Sequence, residues 1–370
     1  MTRHGGALNS IRDGFRDKRQ VALVFILLAI VLCLTLWVFD RIPIENSGLA
    51  VDWRGIWAGL HAGRPSYQTG LRVPPWGVIL LLPFGFLSMR ASWGLVTLAT
   101  LAALVACLPG EWSRPRKLLA GALLATSYST LRLVADGNLE FLIIAGILLA
   151  GWALSKGSGW GLAVAVLLMT LKIQETWLFL AAIGIHVFRT WPRNRWLTAA
   201  GITILLASAP LIWLGREWWT AFVGIQEKGS LMDASLWAGL ARLGVPAWAI
   251  ALVWAAILGA IVLLALKGPS PKERIWAGLL VSTSLLLAPY AGGNSLLTGF
   301  AIGVVPLLAA WPVAGVFLFL LDDIKYILPG GFNYWWGGIH ATTQLLLIGA
   351  ALYIHEWKQH STPPGESPPD

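Results

Sequence analysis

Apolar blocks long enough to cross a bilayer recur from Val21 to Tyr353, and no other feature limits the fold of this chain so severely. Hydrocarbon offers no partner to a backbone N–H or C=O, so such blocks cross as helices or as strands of a closed barrel. The alternation of a barrel strand is absent, which leaves helices. Composition agrees: 57% of the residues are hydrophobic and 12% charged, with a mean hydropathy of +0.70, where soluble domains carry about 25% charged residues. Twenty-two Trp residues, many near block ends (Trp37, Trp93, Trp152, Trp196, Trp213, Trp276), suit anchoring at the membrane interface. Cys33 and Cys107 both lie inside apolar blocks and read as buried, inert thiols.

Charge sets the expected orientation. Arg12, Arg16, Lys18 and Arg19 precede the first block, whose exit, Trp37-Val38-Phe39-Asp40, has no small-residue cleavage site. It reads as a retained helix with its N-terminus in the cytoplasm. The formal charge of +9 comes from short basic loops, so the positive-inside rule accounts for it without a nucleic-acid partner. Arg114-Pro115-Arg116-Lys117, Arg189 to Arg195 and Lys267 to Arg274 are the cytoplasmic loops on this reading. An even number of crossings must then separate them. This holds if Pro74 to Met89, with Pro83 in its middle, is a re-entrant segment or part of a broken helix.

The expected fold is therefore all-α: a polytopic transmembrane helical bundle of about 11–13 spans, with both termini cytoplasmic in a bacterial inner membrane. The crossings fall near 21–39, 91–108, 118–133, 139–154, 159–171, 176–188, 197–214, 247–267, 275–290, 295–310, 312–326 and 338–355. Residues 1–20 form a basic N-terminus, 21–356 one membrane domain, and 357–370 a disordered tail. Two external loops, 40–90 and 215–246, carry short helices lying along the interface.

Assigning sides groups the polar residues. Asp52, Arg54, Asp136, Asn138, Glu140, Lys172, Gln174, Glu175, Asp233 and Asn294 all fall on the external side. Ionisable groups that interrupt apolar runs are costly and mark functional positions by default. Each also has a plainer reading. Asp136-Gly137-Asn138 is a good tight turn, Lys172 can snorkel, Asn294 can cap a helix, and Asp52 can be a solvated loop acid. Asp322-Asp323, beside Lys325, reads as a solvated turn. The shared side of the first group favours a site.

Several short motifs lie in an order that resembles a known family. Asp52-Trp53, Gly63, Pro65, Tyr67, Val73-Pro74-Pro75-Trp76 and Pro83 resemble the first external loop of the integral-membrane GT-C glycosyltransferases. The closest likeness is to the bacterial polyprenyl-phosphate-mannose-dependent mannosyltransferases, glycosyltransferase family eighty-seven. Gly137-Asn138 with Glu140, Met169-Thr170-Leu171-Lys172 and Ser235-Leu236-Trp237 to Leu243 look like later elements of that family. The resemblance implies a GT-C-like fold and transfer of a sugar from a polyprenyl phosphate to a glycan or lipid acceptor on the external face. It places the catalytic base at Asp52. Arg54, Tyr67, Arg72, Asp136, Asn138, Glu140, Lys172, Gln174, Ser235 and Asn294 are then the substrate-binding residues, Lys172 foremost for the phosphate. The donor is a lipid-linked substrate, and neither a metal nor another cofactor is demanded.

The late turn Ala288 to Asn294 lacks the His that many members of the family carry, and Gln174 stands where they often have Pro. Two other readings follow: a catalytically inactive relative, and a transporter or lipid carrier, which would place ionisable groups on broken helices and show paired repeats. No pairing between halves is visible.

The side assignments are directly testable. In a background with Cys33 and Cys107 replaced, single cysteines at 114, 193 and 272 should be shielded from an impermeant external thiol reagent. Those at 136 and 230 should react. Labelling at 193 from outside would overturn the assignment.

Overall fold

The structure, a computed structural model, describes residues 18–44, 47–61, 65–67, 71, 73–224, 233–267, 269–327 and 334–361. In chain order the helices are α1 Lys18–Asp40, α2 Val51–His61, α3 Pro75–Gly85, α4 Met89–Cys107, α5 Arg114–Thr126, α6 Tyr128–Asp136, α7 Glu140–Lys156 and α8 Gly159–Met169. There follow α9 Ile173–Thr190, α10 Arg193–Gly224, α11 Leu236–Arg242, α12 Ala247–Ala265, α13 Arg274–Leu287, α14 Gly293–Ala310, α15 Pro312–Ile327 and α16 Tyr334–Ser361. No strand occurs among the described residues. Six helical stretches have the length and hydropathy of a membrane span, or seven if the bent pair α5–α6 is counted as one. The protein is an all-α, multi-pass membrane bundle.

Two ends of the bundle can be told apart by their contacts. At one, the basic end, Arg274 donates to the Cys107 carbonyl (2.7 Å), Lys267 sits 3.3 Å above the Trp357 ring, and Lys358 stands over Trp311. At the other, Arg90 donates to the Asp40 carbonyl (2.8 Å) and the loops after α6, α8 and α13 meet. The helices α1, α4, α5–α6, α7, α8, α9, α10, α12, α13, α14, α15 and α16 alternate between these ends, in the order the basic loops imply. The stretch 159–190 is not one rod, since a straight helix of that length would extend about 48 Å. A Cβ on Gly159 would stand 3.4 Å from the Arg195 carbonyl oxygen. The chain therefore reverses at Lys172, where φ is −136° and ψ is 73°.

α13 is the hub. Every residue from Trp276 to Leu287 is buried, as expected of a helix that is apolar all round and surrounded by others. Opposite it α14 contains a π-helical segment, Phe300–Val304. Gly278 meets the backbone of Gly303 so closely that a Cβ there would collide with it. Small residues at such crossings let membrane helices approach to backbone contact.

The apolar segment Pro75–Gly85 is a short helix with both ends against elements of the same end of the bundle, Gly77 by Leu171 and Gly85 by Leu60. Three expectations need correction. Residues 357–361, expected in a disordered tail, continue α16, and Cys33 is exposed on the lipid-facing surface of α1. The acidic pair Asp322-Asp323 is not a solvated turn. α5 and α6 meet at a 54° bend, and the bend frees the backbone N–H groups of the first turn of α6. Asp322 Oδ2 accepts from Ser129 N (2.7 Å) and Asp323 Oδ1 from Tyr128 N (3.0 Å). The Ser129 hydroxyl, Lys325 Nζ and Gln344 Nε2 all donate to Asp322 Oδ1 at 3.0–3.1 Å. A carboxylate at a helix N-terminus also gains from the helix dipole.

This brace should be costly to remove. Taking one member from a buried, hydrogen-bonded ion pair costs about 3–5 kcal/mol, so Asp322→Ala should markedly lower the unfolding temperature of the purified protein. Asp322→Asn, which keeps an acceptor for Ser129 N, should lower it less. Unchanged stability in Asp322→Ala would show that the bend is held by other contacts.

Candidate functional site

The site begins with how α2 is seated. Ala50 is fully buried with φ +52°, a left-handed conformation that an L-residue with a Cβ adopts at a cost, and its N–H donates to the Ala135 carbonyl. Arg54 Nη2 donates to the carbonyls of Ser47 and Leu49, both at 2.7 Å. Trp53 is fully buried and its indole N–H reaches Ser92 Oγ at 2.9 Å. These contacts pin the first turn of α2, and Asp52 with it, against α4 and α6. Gly137 (φ +72°) ends α6 in the left-handed conformation that glycine adopts freely. A Cβ there would strike Trp53. The chain then turns sharply enough to present Asp136, Asn138 and Glu140 to one space.

Three segments supply the polar groups: the first turn of α2, the end of α6 with its turn, and the start of α14. Asp52 Oδ2 accepts from Asn138 Nδ2 (2.7 Å) and from Asn294 Nδ2 (3.3 Å). Asn294 Nδ2 also lies 3.1 Å from Asp136 Oδ2, which takes the Arg132 Nε–H at 2.9 Å. The Asn138 side-chain oxygen accepts from Leu139 N, fixing which way its amide points. Asp52 is half-buried, and its second oxygen, Oδ1, has no hydrogen bond from a described residue.

A deeper layer lies alongside. Lys172 Nζ donates to Glu140 Oε1 and stands 3.5 Å from Glu175 Oε1. Both glutamates are fully buried. Ser295 Oγ (2.6 Å) and Thr298 Oγ1 (2.9 Å) complete the shell of Glu175. Asp136 Oδ1 and Glu140 Oε2 are buried and accept from no group among the described residues. Buried acceptors are costly to leave unmet. Among the described residues, Asp52, Asp136, Glu140 and Glu175 face the cations of Arg132 and Lys172, and the described cluster carries an excess of acid.

The sequence-predicted residues divide cleanly. Asp52, Asp136, Asn138, Glu140, Lys172 and Asn294 come together. Arg54 does not join them, its guanidinium being spent on loop carbonyls. The Tyr67 hydroxyl is buried and donates to the Val73 carbonyl (3.0 Å), and burial together with nearby Glu217 raises its pKa. Ser235 caps α11 through Ala238 N, while Asp233 Oδ1 accepts from Ser235 N and Ala291 N and ties the late loop to the turn before α14. Gln174 is half-buried outside the network. Arg72, Gly63 and Ser230 lie outside the described residues.

Arg132, Ser295 and Thr298 were not expected. Arg132 could have been found from its i,i+4 spacing to Asp136 on a helix face. Nothing in the sequence distinguishes Ser295 and Thr298 from ordinary helix hydroxyls. Among the described residues, the His and carboxylate ligand atoms drawn within 4.8 Å of one another are those of Glu273, Glu356 and His360, at the basic end. Comparison with known families, characterised proteins and solved structures finds no match to this chain.

The charge balance of the deeper layer can be tested without an assay of function. Lys172→Gln would leave Glu140 and Glu175 buried without a cation, at a cost of roughly 3–5 kcal/mol. Adding Glu140→Gln should restore much of the lost thermal stability. Additive losses in the double variant would show that Lys172 and Glu140 act independently.

Proposed function

We propose that the protein is a membrane glycosyltransferase that moves a sugar from a polyprenyl phosphate to a lipid or glycan acceptor, with Asp52 as the general base. One observation carries this reading. Two amides hold Asp52 Oδ2 while Oδ1 is uncommitted among the described residues, which is the arrangement a proton acceptor needs: fixed in place, yet open toward a hydroxyl. In the reaction the acceptor oxygen attacks the anomeric carbon, the bond from that carbon to the phosphate oxygen breaks, and polyprenyl phosphate leaves. Asp52 takes the hydroxyl proton. A single displacement of this kind inverts the anomeric centre.

The neighbours suit the remaining tasks. Asp136, in the layer beside Asp52 and with Oδ1 not engaged by a described residue, suits a hydroxyl donor of a sugar. The leaving phosphate needs positive charge where its own develops. Lys172, expected in that role, is already balanced by two glutamates. Arg132 suits it better: its side chain is 45% exposed and only Nε is engaged by Asp136. Its remaining guanidinium N–H groups form a fork matched to phosphate oxygens. Under the positive-inside rule the cluster faces the external side of a bacterial plasma membrane, with both termini cytoplasmic.

A second reading, an ion-coupled transporter or lipid carrier, draws on the buried Lys172–Glu140–Glu175 and Lys325–Asp322 groups. Intramembrane charge is common to such proteins.

The test is sugar transfer from labelled polyprenyl-phosphate sugars by purified protein at equal folded concentration. General-base catalysis contributes about 10²–10⁴-fold, so Asp52→Asn should lose turnover on that scale while keeping its fold. Near-wild-type turnover in Asp52→Asn would remove the base assignment. Flux across vesicles without transfer would favour the carrier.

A further inference from the structure

At the basic end, on the opposite side of the bundle from the polar cluster, a cavity of about 450 Å3 opens between α4, α7, α9, α13 and α14. That volume is within the roughly 300–1,000 Å3 of pockets that hold small ligands. Its walls are apolar, with Ile147, Phe179 and Ile302 among them. Gly151 borders it, and a Cβ there would meet nothing within 4 Å, so the space beside α7 is open. Part of the wall is the π-helical segment of α14, a distortion often found at binding sites in helices.

The rim is charged in one sense only. Lys272 and Arg274 are both exposed there. No acidic residue lines the cavity among the described residues. Glu273, between them in sequence, turns away: its Oε1 accepts from Ser270 N, and its Oε2 lies 3.6 Å from His360 Nε2. Arg274 Nη1 is held by the Cys107 carbonyl, which fixes its guanidinium at the mouth. An apolar hollow between membrane helices, closed by two cations at headgroup depth, is complementary to one kind of molecule: a hydrocarbon chain ending in an anionic phosphate. Basic pockets between transmembrane helices bind anionic headgroups for this reason.

We infer that this cavity is a binding site for an anionic glycerophospholipid, with one acyl chain between α7 and α13 and the phosphate at Lys272 and Arg274. The site is separate from the Asp52 cluster and does not depend on the reaction proposed for it.

The experiment is native mass spectrometry of the full-length protein, released from mixed micelles containing equal amounts of phosphatidylglycerol and phosphatidylcholine. Wild type should retain phosphatidylglycerol selectively. A basic residue near an anionic headgroup contributes roughly fivefold in affinity, so Lys272→Gln should lower that selectivity about fivefold and Lys272→Arg should restore it. Lys272 is exposed, which makes these variants safe for folding. Gly151→Leu, which fills the hollow, should abolish retention of the lipid while leaving the rim charges in place. Equal retention of the two lipids by wild type would overturn the proposal. So would selectivity unaffected by Lys272→Gln. Retention unchanged in Gly151→Leu would mean that a surface headgroup contact, not the cavity, holds the lipid, and would overturn it equally.

Discussion

A helix that breaks inside hydrocarbon leaves backbone N–H groups that neither water nor lipid can satisfy. In this protein the break lies at Ser127, and the groups that answer it come from α15. Asp322 and Asp323 accept the first N–H groups of α6, and Lys325 with Gln344 holds Asp322 in turn. The bend this permits tilts α6 by 54° from α5. The C-terminal end of α6 thereby reaches α2 on one side and the start of α14 on the other. Without that tilt, Asp136 and Asn138 would end a straight span with no reason to meet Asp52 and Asn294.

The cluster that results is organised in two layers with different electrostatics. The upper one, around Asp52, is half-open and rich in amides, which orient a carboxylate without neutralising it. The lower one is closed, and Lys172 lies between two buried glutamates whose other contacts are hydroxyls. Charge within low dielectric must be paired, so the lower layer reads as a brace that fixes the reversal between α8 and α9. It also supports the loop that bears Asn138. The excess of acid makes the site a better partner for hydroxyl donors than for phosphate. On the proposed function, positive charge for the leaving phosphate comes from its edge, where Arg132 stands.

Much of this was legible in the sequence because lipid makes polar residues conspicuous. Asp136-Gly137-Asn138, Lys172 and Asn294 each interrupt an apolar run, and an interruption at membrane depth has few innocent explanations. The crossings and the two ends could be read for the same reason. What the sequence does not carry is partnership. Arg54 sits two residues from Asp52 and looks equally exposed to function, yet the carbonyls of Ser47 and Leu49 consume it. Tyr67 and Ser235 were read through a motif resemblance and turn out to tie down their own loops. Asp322-Asp323 followed by Lys325 has the composition of a surface turn. Only the position of α15 against the break at Ser127 makes it a buried cap. The left-handed Ala50 leaves no sequence signal at all, since glycine or asparagine is the usual mark of that conformation.

The proposed function rests on Asp52 Oδ1 being the atom that would face an acceptor hydroxyl, with the donor phosphate toward Arg132. The most direct measurement is a cryo-electron microscopy structure of the protein in lipid nanodiscs, loaded with a non-hydrolysable polyprenyl-phosphonate sugar. The account predicts sugar density beside Asp52 and Asp136, the phosphonate against the Arg132 guanidinium, and room for an acceptor hydroxyl within hydrogen-bond reach of Asp52 Oδ1. Density for the sugar elsewhere, or a donor seated so that Asp52 points away from the anomeric carbon, would contradict it.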